Sequence, residues 1–356
     1  MQATKSIKSY CLIDLYEKFI NESKRGKRLQ PNGKSLSEGT IQNYISTLRL
    51  LKEFSQKKGF PLRIVSIHRL TSRQIEVEKR YWKKFYVKLT SYLYDDLGFF
   101  DNYVGFCLKN LKVFLNYLRK ETPINIGEFH KVFYVRKEEI AIFPLLPDEL
   151  NFLIYSETLE ATLPKRLKET KDFFVFGCTV GLRVSDLLLL QRKNIRVLGT
   201  DQYLAVRSKK TATDTLIKLP DYAVDIINKY KRGKKLLPRF NVTNLNTYIK
   251  LLLEKAGFTA QVVLTRERRG RPKELKCKTS NEVARFCDVA STHTMRRTAI
   301  TTMLSLGMPE QIVRRISGHS PTSKEFFRYV LWAQTYQDKE TEKVFQRLKN
   351  LQQDRG

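Results

Sequence analysis

The sequence predicts a mainly α-helical protein with a small β-sheet, arranged as two domains. Three observations carry this. Apolar residues recur at helical spacing through most of the first 120 residues. A pair of alternating apolar segments, at 203–207 and 215–219, supplies the strands. The chain has 356 residues, 42% hydrophobic and 11% aromatic, which is enough for two ordinary cores and too apolar for a disordered chain.

Residues 4–22 read as an amphipathic helix, and a polar, basic stretch over 21–34 follows, with a turn at Pro31, Asn32 and Gly33. Ser37 or Thr40 caps a helix carrying Ile41, Tyr44, Ile45, Leu48, Leu51 and Phe54 on one face, and Gly59 stops it. Aligned apolar residues predict helices over 78–96, through Trp82, Phe85 and Leu89, and over 101–120, through Val104, Leu108, Leu111 and Leu115. Residues 122–146 change character: Pro123, Gly127 and the run 132–136 mark a linker with a short extended piece. Asp148 can cap the next helix, so the domain boundary falls near 143. The second part mixes a hairpin turning through 209–214 with helices at 187–190, 221–231, 244–256, 280–287 and 294–306. Val344, Phe345, Leu348 and Leu351 form one stripe on a last helix, which must pack on its own domain or dock into a neighbouring copy.

Lys and Arg total 66 against 36 Asp and Glu, a formal charge of +30. An excess this large in a folded protein implies a polyanionic partner, of which nucleic acid is the commonest. The basic residues run through the whole chain, which argues against a membrane-surface protein. No apolar run is long enough to span a bilayer, and the N-terminus lacks a signal-peptide core. Five scattered cysteines without CxxC pairs fit a reducing cytosol and argue against disulfides or a zinc site.

The chemistry concentrates in two boxes. Ser291 to Thr298 contains His293 and Arg296, three residues apart at a helix start and therefore on one face. Ser317-Gly318-His319 follows, and Tyr329 lies ten residues after His319. Far upstream, Arg183 sits in Gly181-Leu182-Arg183-Val184-Ser185-Asp186. Arginines hold phosphate oxygens by paired hydrogen bonds, histidines donate to them or move protons, and a tyrosine oxygen can attack phosphorus. Two arginines, two histidines and a tyrosine are what a metal-free phosphoryl-transfer site on nucleic acid requires.

This order and spacing resembles the tyrosine recombinases, the phage-integrase superfamily, and within it the integrases of bacterial mobile elements. The resemblance implies a helical core-binding, DNA-binding domain over 35–125, a linker over 126–144 and a mixed α/β catalytic domain over 145–337. An N-terminal helix and basic linker (1–34) precede these, and a tail helix (338–356) follows. It implies site-specific DNA recombination through a 3′-phosphotyrosine made by Tyr329, with no metal, ATP or other cofactor. Arg183, Arg296 and His319 would bind the phosphate, and His293 would act in proton transfer or positioning. The family's lysine before Thr in the strand–turn–strand matches Lys210, which would protonate the leaving 5′ oxygen, with Lys209 its rival. Asp186 would orient Arg183 or cap its helix, and Arg297 would serve packing or a DNA-backbone contact. Arg269 and Arg271, in Arg269-Gly270-Arg271-Pro272, read as a basic hairpin turn touching phosphates or as an AT-hook-like core. The implied partner is double-stranded DNA at specific recombination sites. A homo-tetramer would form on two sites, from a monomer or dimer when free, in a bacterial cytoplasm at the nucleoid. A type IB topoisomerase with the same covalent chemistry and a DNA-binding regulator without catalysis are the competing readings.

Overall fold

The computed structural model describes residues 8–68, 70–207, 214–231, 233–277 and 281–353. It falls into two compact units, one of residues 1–140 with Thr265–Glu274, the other of 141–264 with 275–356.

The first unit is built on helices α1 (Leu12–Lys24), α2 (Glu38–Lys58), α3 (Ser72–Ser91) and α4 (Asp101–Glu121). The helix expected from residue 4 starts only at Leu12. Ser9–Cys11 form strand β1 and pair antiparallel with β2 (Arg63–Val65), Tyr10 opposite Ile64. At α2 the cap is Ser37, whose Oγ accepts the Thr40 N–H, and the stop is Gly59 in the left-handed region at φ 56°. Thr71 and Gln74 cap α3 reciprocally, so that helix begins one and a half turns before the expected start, and beyond Ser91 it relaxes into a π turn over Tyr92–Asp96. Tyr16, Phe19, Phe54, Phe85 and Phe114 make the fully buried centre of this unit.

In the second unit α5 (Pro147–Tyr155) and α6 (Glu157–Thr162) lead into α7 (Lys165–Val180) and the short α8 (Val184–Leu187). Asp148 does not cap α5. Leu146 holds that position with Pro147 in the first turn, and Glu149 accepts the Leu146 N–H at 2.7 Å. Strands β3 (Ile195–Leu198), β4 (Asp201–Arg207) and β5 (Asp214–Lys218) form an antiparallel sheet in that order, Leu204 facing Ile217. The sequence shows β4 and β5 but not β3, whose residues are largely exposed. Lys209 and Lys210, expected in a hairpin turn, lie outside the described residues. Helices α9 (Asp221–Lys229) and α10 (Val242–Lys255) follow.

Strands β6 (Leu264–Arg268) and β7 (Arg271–Leu275) come next, and then α11 (Phe286–Val289), which replaces the helix expected over 280–287. The chain closes with α12 (Thr292–Ser305), α13 (Glu310–Ser317) and α14 (Phe327–Gln353). Residues 327–353 are one continuous helix, so the tail expected as a separate element from 338 continues the helix that carries Tyr329. Helix α7 is the hub: Phe173, Phe174 and Phe176 are all fully buried, and it packs on α12, α10, α5 and α9. Gly177 permits the closest approach, because a Cβ there would stand 2.5 Å from Met295 Sδ.

The β6–β7 hairpin belongs to the first unit, although the sequence-based division assigns it to the catalytic domain. Its turn residues Arg269 and Gly270 both have positive φ, 57° and 74°. Their N–H groups donate at 2.8 and 2.7 Å to the carboxylate of Asp101, which is fully buried and also accepts from the Tyr94 hydroxyl at 2.7 Å. One strand further, Arg266 makes a two-pronged bond to Glu138 at 3.0 and 2.6 Å, and the Glu267 N–H adds a third. The Arg269 guanidinium pairs with Asp95 at 2.7 Å, whereas Arg271 is exposed. Replacing Asp101 by Ala should strand two backbone donors and a phenol, destabilising the protein by about 2–4 kcal/mol. Asp101→Asn should lose less. Equilibrium urea unfolding checks this, and an unchanged midpoint for Asp101→Ala would show that the hairpin does not depend on that carboxylate.

Candidate active site

Helix α7 ends at Gly181, in the left-handed region at φ 63°. That conformation, and the Ala299 Cβ only 3.2 Å from where a side chain would begin, make the position suited to glycine. The next residues turn sharply and place Arg183 in extended conformation at the start of α8, with buried Asp186 in the same short helix.

Helix α12 starts at Ser291, whose Oγ accepts the His293 N–H at 3.3 Å, while Thr294 Oγ1 accepts the Ser291 N–H at 3.0 Å. Asn246 on α10 receives the Thr292 N–H at 2.8 Å, fixing that first turn to the core. His293 is exposed on this turn. Arg296, one turn later, is only 7% exposed, and its Nη1 donates to the Gly181 carbonyl at 2.9 Å. The second guanidinium nitrogen, Nη2, lies 3.4 Å from both ring nitrogens of His319. Burial, and then the charge of Arg183, push the Arg296 pKa down to about 10, while Tyr329 and Asp186 oppose the shift. At neutral pH it remains a cation.

Helix α13 ends at Gly318, φ 63°, and the His319 N–H returns to the Arg314 carbonyl at 2.9 Å. Ser317 Oγ lies 2.8 Å from His319 Nδ1 and donates to the Val313 carbonyl at 2.7 Å. The imidazole ring sits 5.2 Å from Phe326 and 5.9 Å from Tyr329, centre to centre. Burial first, then Arg296, Arg183 and Arg314, push its pKa down to about 3, so the ring is neutral above pH ~4. Tyr329, in the first turn of α14, packs on the small cluster of Ile300, Val313 and Phe326.

Together Arg183, His293, Arg296, Arg297, His319 and Tyr329 line one open cavity of about 460 Å³. Five residues singled out by their chemistry are thus brought together from α8, α12, the end of α13 and α14. Arg297, expected in packing or on the DNA backbone, is half-buried and lines the same cavity as Tyr329. Arg314 escaped the sequence reading. It is 7% exposed, lies 4.1 Å over the Phe326 ring, and bonds Glu310 at 2.6 Å and the Ser320 carbonyl at 3.0 Å, bracing the loop between His319 and Tyr329. Its one sequence signal is the i,i+4 pairing with Glu310. Arg269 and Arg271 sit in the first unit's hairpin. Among the described residues, no group of three His, Cys, Asp or Glu is placed to hold a metal ion, and no helix is long and apolar enough to cross a membrane.

Two buried or half-buried guanidinia and a neutral imidazole converge on one space, an arrangement that attracts an anion. His319 should therefore stay unprotonated at pH 5 in the DNA-free protein. Linkage gives the sign: with the folded pKa near 3 and the unfolded near 6.5, its contribution to stability is lost as pH falls from 6.5 towards 3. Nitrogen NMR of histidine-labelled protein resolves this, and a His319 midpoint near 6.5 would contradict the buried environment.

Residues 155–331 match the model of the phage integrase family. No curated protein sequence matches the chain. Among solved structures, the fold is similar to a lambda integrase dimer bound to a core site, at 14% identity over 92% of this chain and 95% of that one, TM-score 0.57. It is similar also to the XerH site-specific recombinase on its palindromic difH substrate (12% identity, 93% and 84% covered, TM-score 0.57). A third is the Tn1549 transposon integrase with transposon right-end DNA (14% identity, 90% and 94% covered, TM-score 0.57). At such identities the likeness is one of fold.

Proposed function

Because the chain belongs to the phage integrase family of tyrosine recombinases, we propose that it cuts and rejoins double-stranded DNA at specific sites through a 3′-phosphotyrosine. The observation that carries this is the shared cavity of Arg183, His293, Arg296, His319 and Tyr329. The Tyr329 oxygen attacks the scissile phosphorus, the bond to the 5′ oxygen breaks, and the phosphate stays on the protein. Arg183 and Arg296 hold the non-bridging oxygens and offset the charge that develops there. His319 donates to the same phosphate when its proton rests on Nε2, a tautomer favoured when the Ser317 hydroxyl turns from Val313 to Nδ1. His293, at the exposed rim, takes the phenol proton, and Lys210 returns a proton to the leaving 5′ oxygen. The second transfer reverses the first onto a partner strand, so the phosphodiester energy is conserved. No external energy source enters.

The formal charge of +30 supports a DNA partner, as do the DNA-bound states of the structures with this fold, including a lambda integrase tetramer on a Holliday junction. The tail supports assembly from several copies: Val344 and Phe345 are 53% and 65% exposed, so the described stripe is not covered by its own unit.

On a nicked suicide substrate, wild-type protein should become covalently attached to DNA in denaturing gels. Tyr329→Phe should bind DNA without forming the adduct, and Arg183→Ala should slow it on the order of 10²–10³-fold. Deleting residues after Gln337 should spare single-site binding and abolish joining of two different DNA partners. An adduct that persists in Tyr329→Phe, or maps to Tyr336, would remove the nucleophile assignment. Rejoining only of the original strand would make the protein a topoisomerase in activity.

A further inference from the structure

Arg297 follows Arg296 in sequence but faces a different partner. Positions 297, 300 and 301 share one face of α12, and α12 packs along α14. On that face Ile300 meets Val313 and Phe326, the cluster against which Tyr329 packs. One turn earlier, Arg297 lines the same cavity as Tyr329 and is half-buried there. Arg296 is already engaged by the Gly181 carbonyl and the His319 ring. Half-burial pushes the Arg297 guanidinium below its usual range, and the phenol oxygen counters that shift.

A guanidinium carries only donors, so toward a tyrosine it can only donate to the oxygen, leaving the phenol O–H free to depart. Hydrogen bonds to a charged form favour that form, and an ordinary phenol gives up its proton only near pH ~10. While His293 takes that proton, a donor aimed at the oxygen stabilises the nascent phenolate. We propose that Arg297 is a positioning residue for the nucleophile: it donates to the Tyr329 oxygen, sets the direction of the phenol and stabilises the negative charge as the proton leaves.

The inference rests on Tyr329 being the nucleophile, so wild-type adduct at Tyr329 is the internal control. If none forms, the functional reading fails before Arg297 is tested. Given that control, Arg297→Ala should lower the single-turnover rate of adduct formation on the order of 10²-fold with unchanged DNA affinity, and Arg297→Lys should recover part of the loss. Replacing tyrosine by fluorotyrosine, a more acidic phenol, should restore much of the rate to Arg297→Ala and leave wild type nearly unaffected. Unchanged affinity also reports that the variant is folded. Three results would overturn the proposal: an unchanged rate, a loss confined to DNA affinity as for a backbone contact, or a slow rate that fluorotyrosine leaves untouched.

Discussion

The hydrogen bond from Arg296 to the Gly181 carbonyl is the interaction on which the rest of the site depends. A guanidinium 7% exposed cannot remain unpaired, because an uncompensated buried charge costs several kcal/mol. Its partner is a carbonyl freed by the end of α7, at a residue with φ 63° and little room for a Cβ. The bond joins the start of α12 to the turn that carries Arg183, two segments 115 residues apart. The other face of the same guanidinium meets His319, so one side chain holds three of the five groups in register. Arg296 is thus a structural tie as well as a phosphate ligand in the proposed reaction.

Electrostatically the cavity gathers positive charge. Arg183 disfavours the charge of Arg296, and both help to keep His319 neutral. In the proposed reaction an entering phosphate offsets this charge, and such a preorganised field lowers a phosphoryl-transfer barrier. The surrounding scaffold is correspondingly stiff. Gly177 lets α7 and α12 touch through Met295, and Arg314 clamps the loop ahead of Tyr329.

The residue types and spacing of Arg183, His293, Arg296, His319 and Tyr329 single them out in the sequence as a chemical set, and the fold gathers them around one cavity. Helix faces such as Tyr44, Leu48 and Leu51 were legible because burial imposes a period. What was not legible depends on partners distant in sequence. Strand β1 exists because Tyr10 meets Ile64, and the β6–β7 hairpin joins the first unit because Asp101 and Glu138 await its donors. In sequence Arg297 reads as a packing or DNA-backbone residue, and Arg314 shows only its i,i+4 pairing with Glu310. Only the packing of α12, α13 and α14 brings one to the cavity that Tyr329 lines and sets the other over Phe326. The cap of α5 was misread for a local reason, since Pro147 suits the first helical position better than Asp148 suits the cap.

The most direct measurement is a crystal structure of the Tyr329→Phe protein on DNA selected for covalent trapping by the wild type. The scissile phosphate should lie within ~3 Å of nitrogen atoms of Arg183, Arg296 and His319, with Cζ of residue 329 aimed at phosphorus from about 4.5–5 Å, so that the absent oxygen would fall in the near-attack range of ~3–3.5 Å. Arg296 should still donate to the Gly181 carbonyl. A phosphate held elsewhere, or an Arg296 that abandons Gly181 to reach it, would contradict the preorganised site.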